Sequence, residues 1–211
     1  MTVPMALVDF VPVALFIATA ILLQRDLYNK MSKGAFALFS AGTLMIMVAG
    51  IYKAIWKLLY ALNVCDFVAL NKVFFPMQTT GFVLAAVALI ALLCARQGSG
   101  AALSAAAVPA AYESSLLFVV LTVLGTLGIC GSLCVMARRM KRAGAFVLFV
   151  VAFIFLLAMG YLSSRDFTQA SMHWIAQFTN IVAQGALLLG AVSLHKAGLS
   201  AADALTKGAA A

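Results

Sequence analysis

Lys30-Met31-Ser32-Lys33-Gly34-Ala35-Phe36-Ala37-Leu38-Phe39 opens a long apolar run, and Arg139-Met140-Lys141-Arg142-Ala143-Gly144-Ala145-Phe146-Val147-Leu148-Phe149 opens another. From the glycine onward the two keep step at an offset of 110, and sixteen residues later Gly50 meets Gly160. A basic turn feeding the same apolar helix twice in 211 residues points to an internal duplication.

Composition fixes the solvent. The chain is 65% hydrophobic and 9% charged, with mean hydropathy +1.12. Soluble domains carry roughly 25% charged residues, so this chain cannot clothe a water-facing surface. The lipid bilayer is its expected environment, and in lipid the backbone must satisfy itself within helices. The formal charge of +8 lies at the ends of apolar runs, which reads as a topology signal and excludes a nucleic-acid surface. Residues 1–10 contain no Lys or Arg, so no cleaved leader is expected.

Six apolar runs are long enough to cross about 30 Å of hydrocarbon. They cover about Met5–Gln24, Ala35–Leu62, Val73–Leu93, Leu116–Met136, Gly144–Leu162 and Met172–His195. In the first, either Pro12 kinks one helix or Asp9 caps a shorter helix that carries Pro12 in its tolerant first turn. The second outlasts the bilayer, and its Lys53-Trp56-Lys57-Tyr60 end is expected at the interface, with the lysines snorkelling; the alternative is that Lys53 and Lys57 bind an anionic substrate or lipid headgroup. Residues 97–114, opening Gln-Gly-Ser-Gly and then mostly Ala, read as a flexible linker, and 197–211 as a frayed tail.

The chain thus reads as an all-α, polytopic helical bundle of two three-helix repeats, 1–96 and 115–196. Three spans per half imply that the second repeat enters from the opposite side, an inverted-topology repeat. On that plan the face with both termini carries nine cations and the other five, which places both termini in the cytoplasm of a cell-membrane protein. The alternative splits residues 54–71 off as a seventh span, with the N-terminus outside and both basic turns inside. That plan is similar in outline to the three-one-three arrangement of sugar-transporter-like proteins, and Pro76-Met77-Gln78 resembles their Pro-Gln motif with Met77 interposed. No family assignment follows.

The polar residues within the apolar runs are informative. His173, Gln177, Asn180 and Gln184 fall at i, i+4, i+7 and i+11, one stripe of one helix face. Side chains that donate and accept need partners in hydrocarbon, so this stripe should face the bundle interior. Gln78, beside Pro76 with Thr79 and Thr80, is the counterpart in span 3. Such stripes either glue helices together or line a solute path. Gln78, His173, Gln177, Asn180 and Gln184 are therefore the candidate solute-binding residues of a small-solute transporter or channel, with its site between spans 3 and 6. The alternative is a non-transporting membrane partner or sensor subunit of a larger complex, or a homo-oligomer, whose stripe faces another helix.

No enzyme is expected. The sequence lacks Gly-x-Ser-x-Gly, His-Glu-x-x-His and a phosphate-cradling glycine loop. Cys130 and Cys134 share a helix face, but thiolate metal sites need further ligands, so neither metal nor cofactor is expected. Acids are confined to helix ends, and Asp9 or Asp66 would bear on mechanism only by turning inward.

Overall fold

The computed structural model describes residues 3–94, 115–163 and 170–201. Its elements are α1 (Val3–Val8), α2 (Phe10–Leu27), α3 (Lys33–Ala61), α4 (Val68–Cys94), α5 (Ser115–Arg139), α6 (Ala143–Ser163) and α7 (Ala170–Lys196). Helices α1 and α2 form one span, so six described segments are long and apolar enough to cross a bilayer. The chain is an integral membrane protein by that criterion. The expected linker at 97–114, and the tail beyond Ala201, lie outside the described residues.

Local chemistry explains the element boundaries. Phe10 is the first residue of α2, which places Pro12 at the third helical position, where a capping side chain would seek a backbone N–H. Proline offers none, and the Asp9 carboxylate makes no cap. It pairs instead with the Lys57 ammonium of α3. Ser32 does cap α3, its Oγ accepting from the Ala35 amide at 3.3 Å. Helix α3 then runs unbroken to Ala61, so residues 54–71 do not form a separate span. It ends on Asn63 in the left-handed region (φ 55°), with the Val64 amide bonded back to the Leu59 carbonyl.

Neighbouring helices in the sequence pack side by side, and the first span closes the ring against α7. The end of the bundle that carries Val3 and the α3–α4 connection is called the near end below, and the opposite one the far end. The far half is packed solid by Leu23, Leu27, Phe39, Leu89, Leu133, Met136, Phe149 and Leu194, none more than 4% exposed. Ile21, Leu44, Ile90, Leu124, Ile154 and Leu189 point outward and are about half exposed, as lipid-facing side chains must be. Since lipid is as apolar as leucine, close packing rather than the hydrophobic effect holds such helices together. Small residues permit it: a Cβ on Gly42 would lie 2.7 Å from the Ala85 nitrogen and the Gly81 oxygen of α4.

Directions within the ring correct the expected inversion. Gln177 Nε2, near the start of α7, donates to the Met5 carbonyl at 2.6 Å, while His195 Nδ1, at the end of α7, meets Asp26 Oδ1 at 2.9 Å. The first span and α7 are therefore parallel. Likewise Thr79 and Thr122 share a 2.8 Å hydrogen bond, a Cβ on Gly125 would strike Phe82, and one on Gly128 would strike Ala86. Rising numbers meet rising numbers, so α4 and α5 are parallel too. Both triples run near-to-far, far-to-near, near-to-far. The two basic turns lie together at the far end, and the described ends, Val3 and Lys196, lie at opposite ends of the bundle. An inverted repeat with both termini on one side does not fit these contacts. Counting three helices per half could not anticipate it, because the direction of α5 is set by its contacts with α4.

Correspondence at the 110-residue offset survives in the parallel form. Leu23 and Leu133, Leu27 and Ala137, Ala35 and Ala145, and Phe39 and Phe149 are all buried. Tyr28 packs edge-on against Phe36 with centroids 5.0 Å apart, and at the matching positions Arg138 sits 5.7 Å over the Phe146 ring.

Candidate functional site

In the near half the ring opens into a cavity of about 470 Å³ lined from all six spans. Its near rim holds Asp9, Lys53, Trp56, Lys57, Asn71 and His173, and its floor includes Phe16, Ile46, Phe82, Thr126 and Gln184. Gly50 and Gly160, matched at the 110-residue offset, both line it, as do Ile46 and Leu156. The volume falls in the range of small-molecule sites, roughly 300–1,000 Å³.

All five sequence candidates, Gln78, His173, Gln177, Asn180 and Gln184, line this one cavity. Helix α7 divides cleanly: Ile175, Phe178, Val182 and Leu189 are exposed on the outer surface, while Gln177 is only 4% exposed. The amide of Gln177 is oriented by chemistry, since the Met5 carbonyl requires a donor and so fixes Nε2 toward α1. Among the described residues, Gln177 Oε1 is left buried without a hydrogen-bond partner, and so is Gln184 Oε1. A buried amide oxygen without a donor costs about 1–3 kcal/mol. Gln177 is thus half glue and half unfilled acceptor.

Across the cavity, α4 meets α5 through hydroxyls. The Thr122 hydroxyl donates to the Phe118 carbonyl at 2.7 Å, so the hydrogen between Thr79 and Thr122 comes from Thr79. The Thr80 hydroxyl donates to the Pro76 carbonyl at 2.9 Å. Thr79 and Thr80 therefore serve helix contacts, and Gln78 is the span-3 candidate whose side chain meets the cavity.

No family model matches the chain, and no curated protein or solved structure matches it. Its chemistry has to be read from the cavity itself.

The rim charges are the residues that the sequence reading assigned elsewhere. Lys53 and Lys57 were expected to snorkel to the interface; both line the cavity. Lys57 pairs with Asp9, the acid that turns inward. Lys53 Nζ rests 4.0 Å above the Phe74 ring, a cation–π contact, and no carboxylate pairs with it among the described residues. A readable signal existed: Gly42, Ile46, Gly50, Lys53 and Lys57 follow helical spacing, so the lysines continue the small-residue stripe that faces the bundle. Trp56, also on the rim, donates from Nε1 to Asp66 Oδ1 of the α3–α4 connection at 2.9 Å.

Cysteine and histidine lie apart from one another. All four cysteines are free; Cys130 is buried, and Cys134 Sγ approaches the Phe146 carbonyl at 3.8 Å. Among the described residues no three metal-ligating side chains cluster. His195, at the far end, is held by Asp26, whose side chain is 1% exposed.

Proposed function

We propose that this protein is a small-solute carrier of the cell membrane that holds its solute between α4 and α7, with Gln78, Gln177, Asn180, Gln184 and His173 in contact with it. The single observation that carries the reading is the cavity: one chamber fed by side chains from every span, ending near mid-bundle on unfilled amide acceptors. The solid far half beneath it supports a form accessible from the near side only. Carriers built from parallel repeats about an axis along the membrane normal place their sites in this way, a likeness of architecture alone. The role is binding and translocation, without catalysis and without a cofactor.

Charge supports an orientation. Among the described residues the far end carries Arg25, Lys30, Lys33, Arg138, Arg139, Lys141, Arg142 and Lys196, against Lys53, Lys57 and Lys72 near the other. The positive-inside rule then puts the far end in the cytoplasm and the cavity toward the outside. A partner-subunit reading that uses the α7 stripe draws no support from its inward face.

Uptake by proteoliposomes of a labelled panel of sugars, amino acids and organic acids tests the carrier reading. At least one solute should enter above the protein-free rate, and Asn180→Ala and Gln184→Ala should each lower that flux about tenfold, near one hydrogen bond in magnitude. Flux indistinguishable from empty liposomes for the whole panel, or unchanged in both variants, rejects it.

A further inference from the structure

We infer that the solute is a small organic anion with an apolar body and an N–H or O–H group, its negative charge set against Lys53 and its donor against Gln177. The inference deepens the carrier reading and rests on the same cavity.

Charge bookkeeping comes first. The Asp9 carboxylate is already engaged by the Lys57 ammonium, so that pair offers a solute no net charge. Lys53 lies against an aromatic face, and among the described residues no carboxylate pairs with it. The rim therefore carries one uncompensated cation, and an entering carboxylate or other anionic group would complete it as a charge-assisted hydrogen bond. A cationic solute would meet two ammonium groups and a carboxylate that is already paired.

The second observation is independent of the first. Gln177 lines the cavity and is 96% buried, its Nε2 is committed to Met5, and its Oε1 has no partner among the described residues. Such an oxygen can only accept, so the group that meets it must donate. Gln184 Oε1, seven residues or about 10 Å further in, repeats the demand. Below the rim the walls and floor carry Phe74, Phe75, Phe16 and Phe82, which suit an apolar body rather than a fully hydroxylated one.

Three matched probes separate these demands: 3-phenyllactate (anion and hydroxyl), 3-phenylpropionate (anion only) and 3-phenylpropane-1,2-diol (hydroxyls only). Binding to the full-length protein in phosphatidylcholine nanodiscs is measured by calorimetry. Phenyllactate should bind at least about tenfold more tightly than either of the others, from one charge-assisted and one neutral hydrogen bond. Lys53→Met should abolish the preference for phenyllactate over the diol. Gln177→Leu should abolish its preference over phenylpropionate; because Gln177 also holds α1, Gln184→Leu is measured beside it, and the ratio of affinities is read rather than the affinity. Equal binding of the diol, a charge preference that survives Lys53→Met, or no binding of any probe at 10 mM (about the weakest affinity such contacts would leave) overturns the inference. Flux distinguishes the two levels. Transport of a neutral or cationic solute without anion binding removes the class and leaves the carrier, while anion binding without flux of any solute removes the carrier and leaves the class.

Discussion

Gly42→Ala is the sharpest probe of the packing beneath the cavity. An added Cβ would sit 2.7 Å from the Ala85 nitrogen and the Gly81 oxygen, against an ordinary contact beginning at 3.4 Å. The shortfall is about 0.7 Å, and both obstructing atoms are backbone, so α3 and α4 must separate by roughly that amount. A gap of 0.5–1 Å forfeits about a quarter to a half of each dispersion contact along the seam. Overpacking of this kind costs about 1–3 kcal/mol, offset by about 0.5–1 kcal/mol because alanine is the better helix former. The net expectation is destabilisation of about 1–2 kcal/mol. Gly131→Ala is the control, since nothing lies within 4 Å of its Cβ. It should stabilise by about 0.5–1 kcal/mol. Unfolding titrations of the two variants in one detergent should therefore shift in opposite directions. Ile46, one turn above Gly42, lines the cavity, so Gly42→Ala should also weaken solute binding. If Gly42→Ala proves as stable as Gly131→Ala, the α3–α4 approach described here is wrong.

Other consequences can be checked with simpler measurements. Single cysteines at Asn29→Cys and Arg142→Cys, in an otherwise cysteine-free chain, should react with an impermeant maleimide from one side, and Asn63→Cys and Leu117→Cys from the other; labelling of the two basic turns from opposite sides would restore the inverted repeat. Likewise Cys94, which is exposed, should share the side of Asn29 and not that of Leu117. His195→Ala removes the donor from a carboxylate that is 1% exposed, and thermal unfolding should register a loss of about 2–3 kcal/mol; no loss would mean that the contact carries no stability. Lys57→Met strands a partly buried Asp9 and should cost about 1–3 kcal/mol, much of it recovered in the Asp9→Leu, Lys57→Met double variant. A double variant less stable than the single one would place the Asp9 carboxylate in some other role.

Much of the fold was legible because hydropathy alone specifies it. The six runs emerged as helices within a few residues of their expected limits, and the absence of any turn residue in 51–62 rightly kept α3 in one piece. The α7 stripe was legible for a different reason: Gln177, Asn180 and Gln184 share a face with no lipid-compatible residue among them. Direction was not legible. Running α5 parallel to α4 depends on Thr79 finding Thr122 and on Gly125 and Gly128 finding Phe82 and Ala86, pairings between segments about 43 residues apart that periodicity does not encode; charge pointed that way only in the alternative that put both basic turns on one side. Cation counting erred for the same reason, since nine against five on the inverted plan becomes eight against three among the described residues once the turns share an end. For the inward lysines, snorkelling was preferred over a binding role because a basic residue near a helix end has two outlets, and only its register with Gly42 and Gly50 says which one it takes.

The parallel arrangement of the two triples also explains where the chemistry can and cannot be symmetric. The lining pairs Ile46 with Leu156 and Gly50 with Gly160 are matched between triples. The reactive groups are not: Asp9, Lys53 and Lys57 belong to the first triple, and their counterparts at the 110-residue offset are Val119, Ser163 and Phe167. The buried amide acceptors belong to α7, in the second. A solute that satisfies Lys53 and Gln177 together must therefore touch both triples. A ligand shifts an equilibrium between forms only through contacts that differ between them. One that bridges the two triples has such contacts if the triples move against each other, whereas one held by the first triple alone has none. Shortening the solute so that it reaches Lys53 but not Gln177 should then preserve part of the binding and lose the transport.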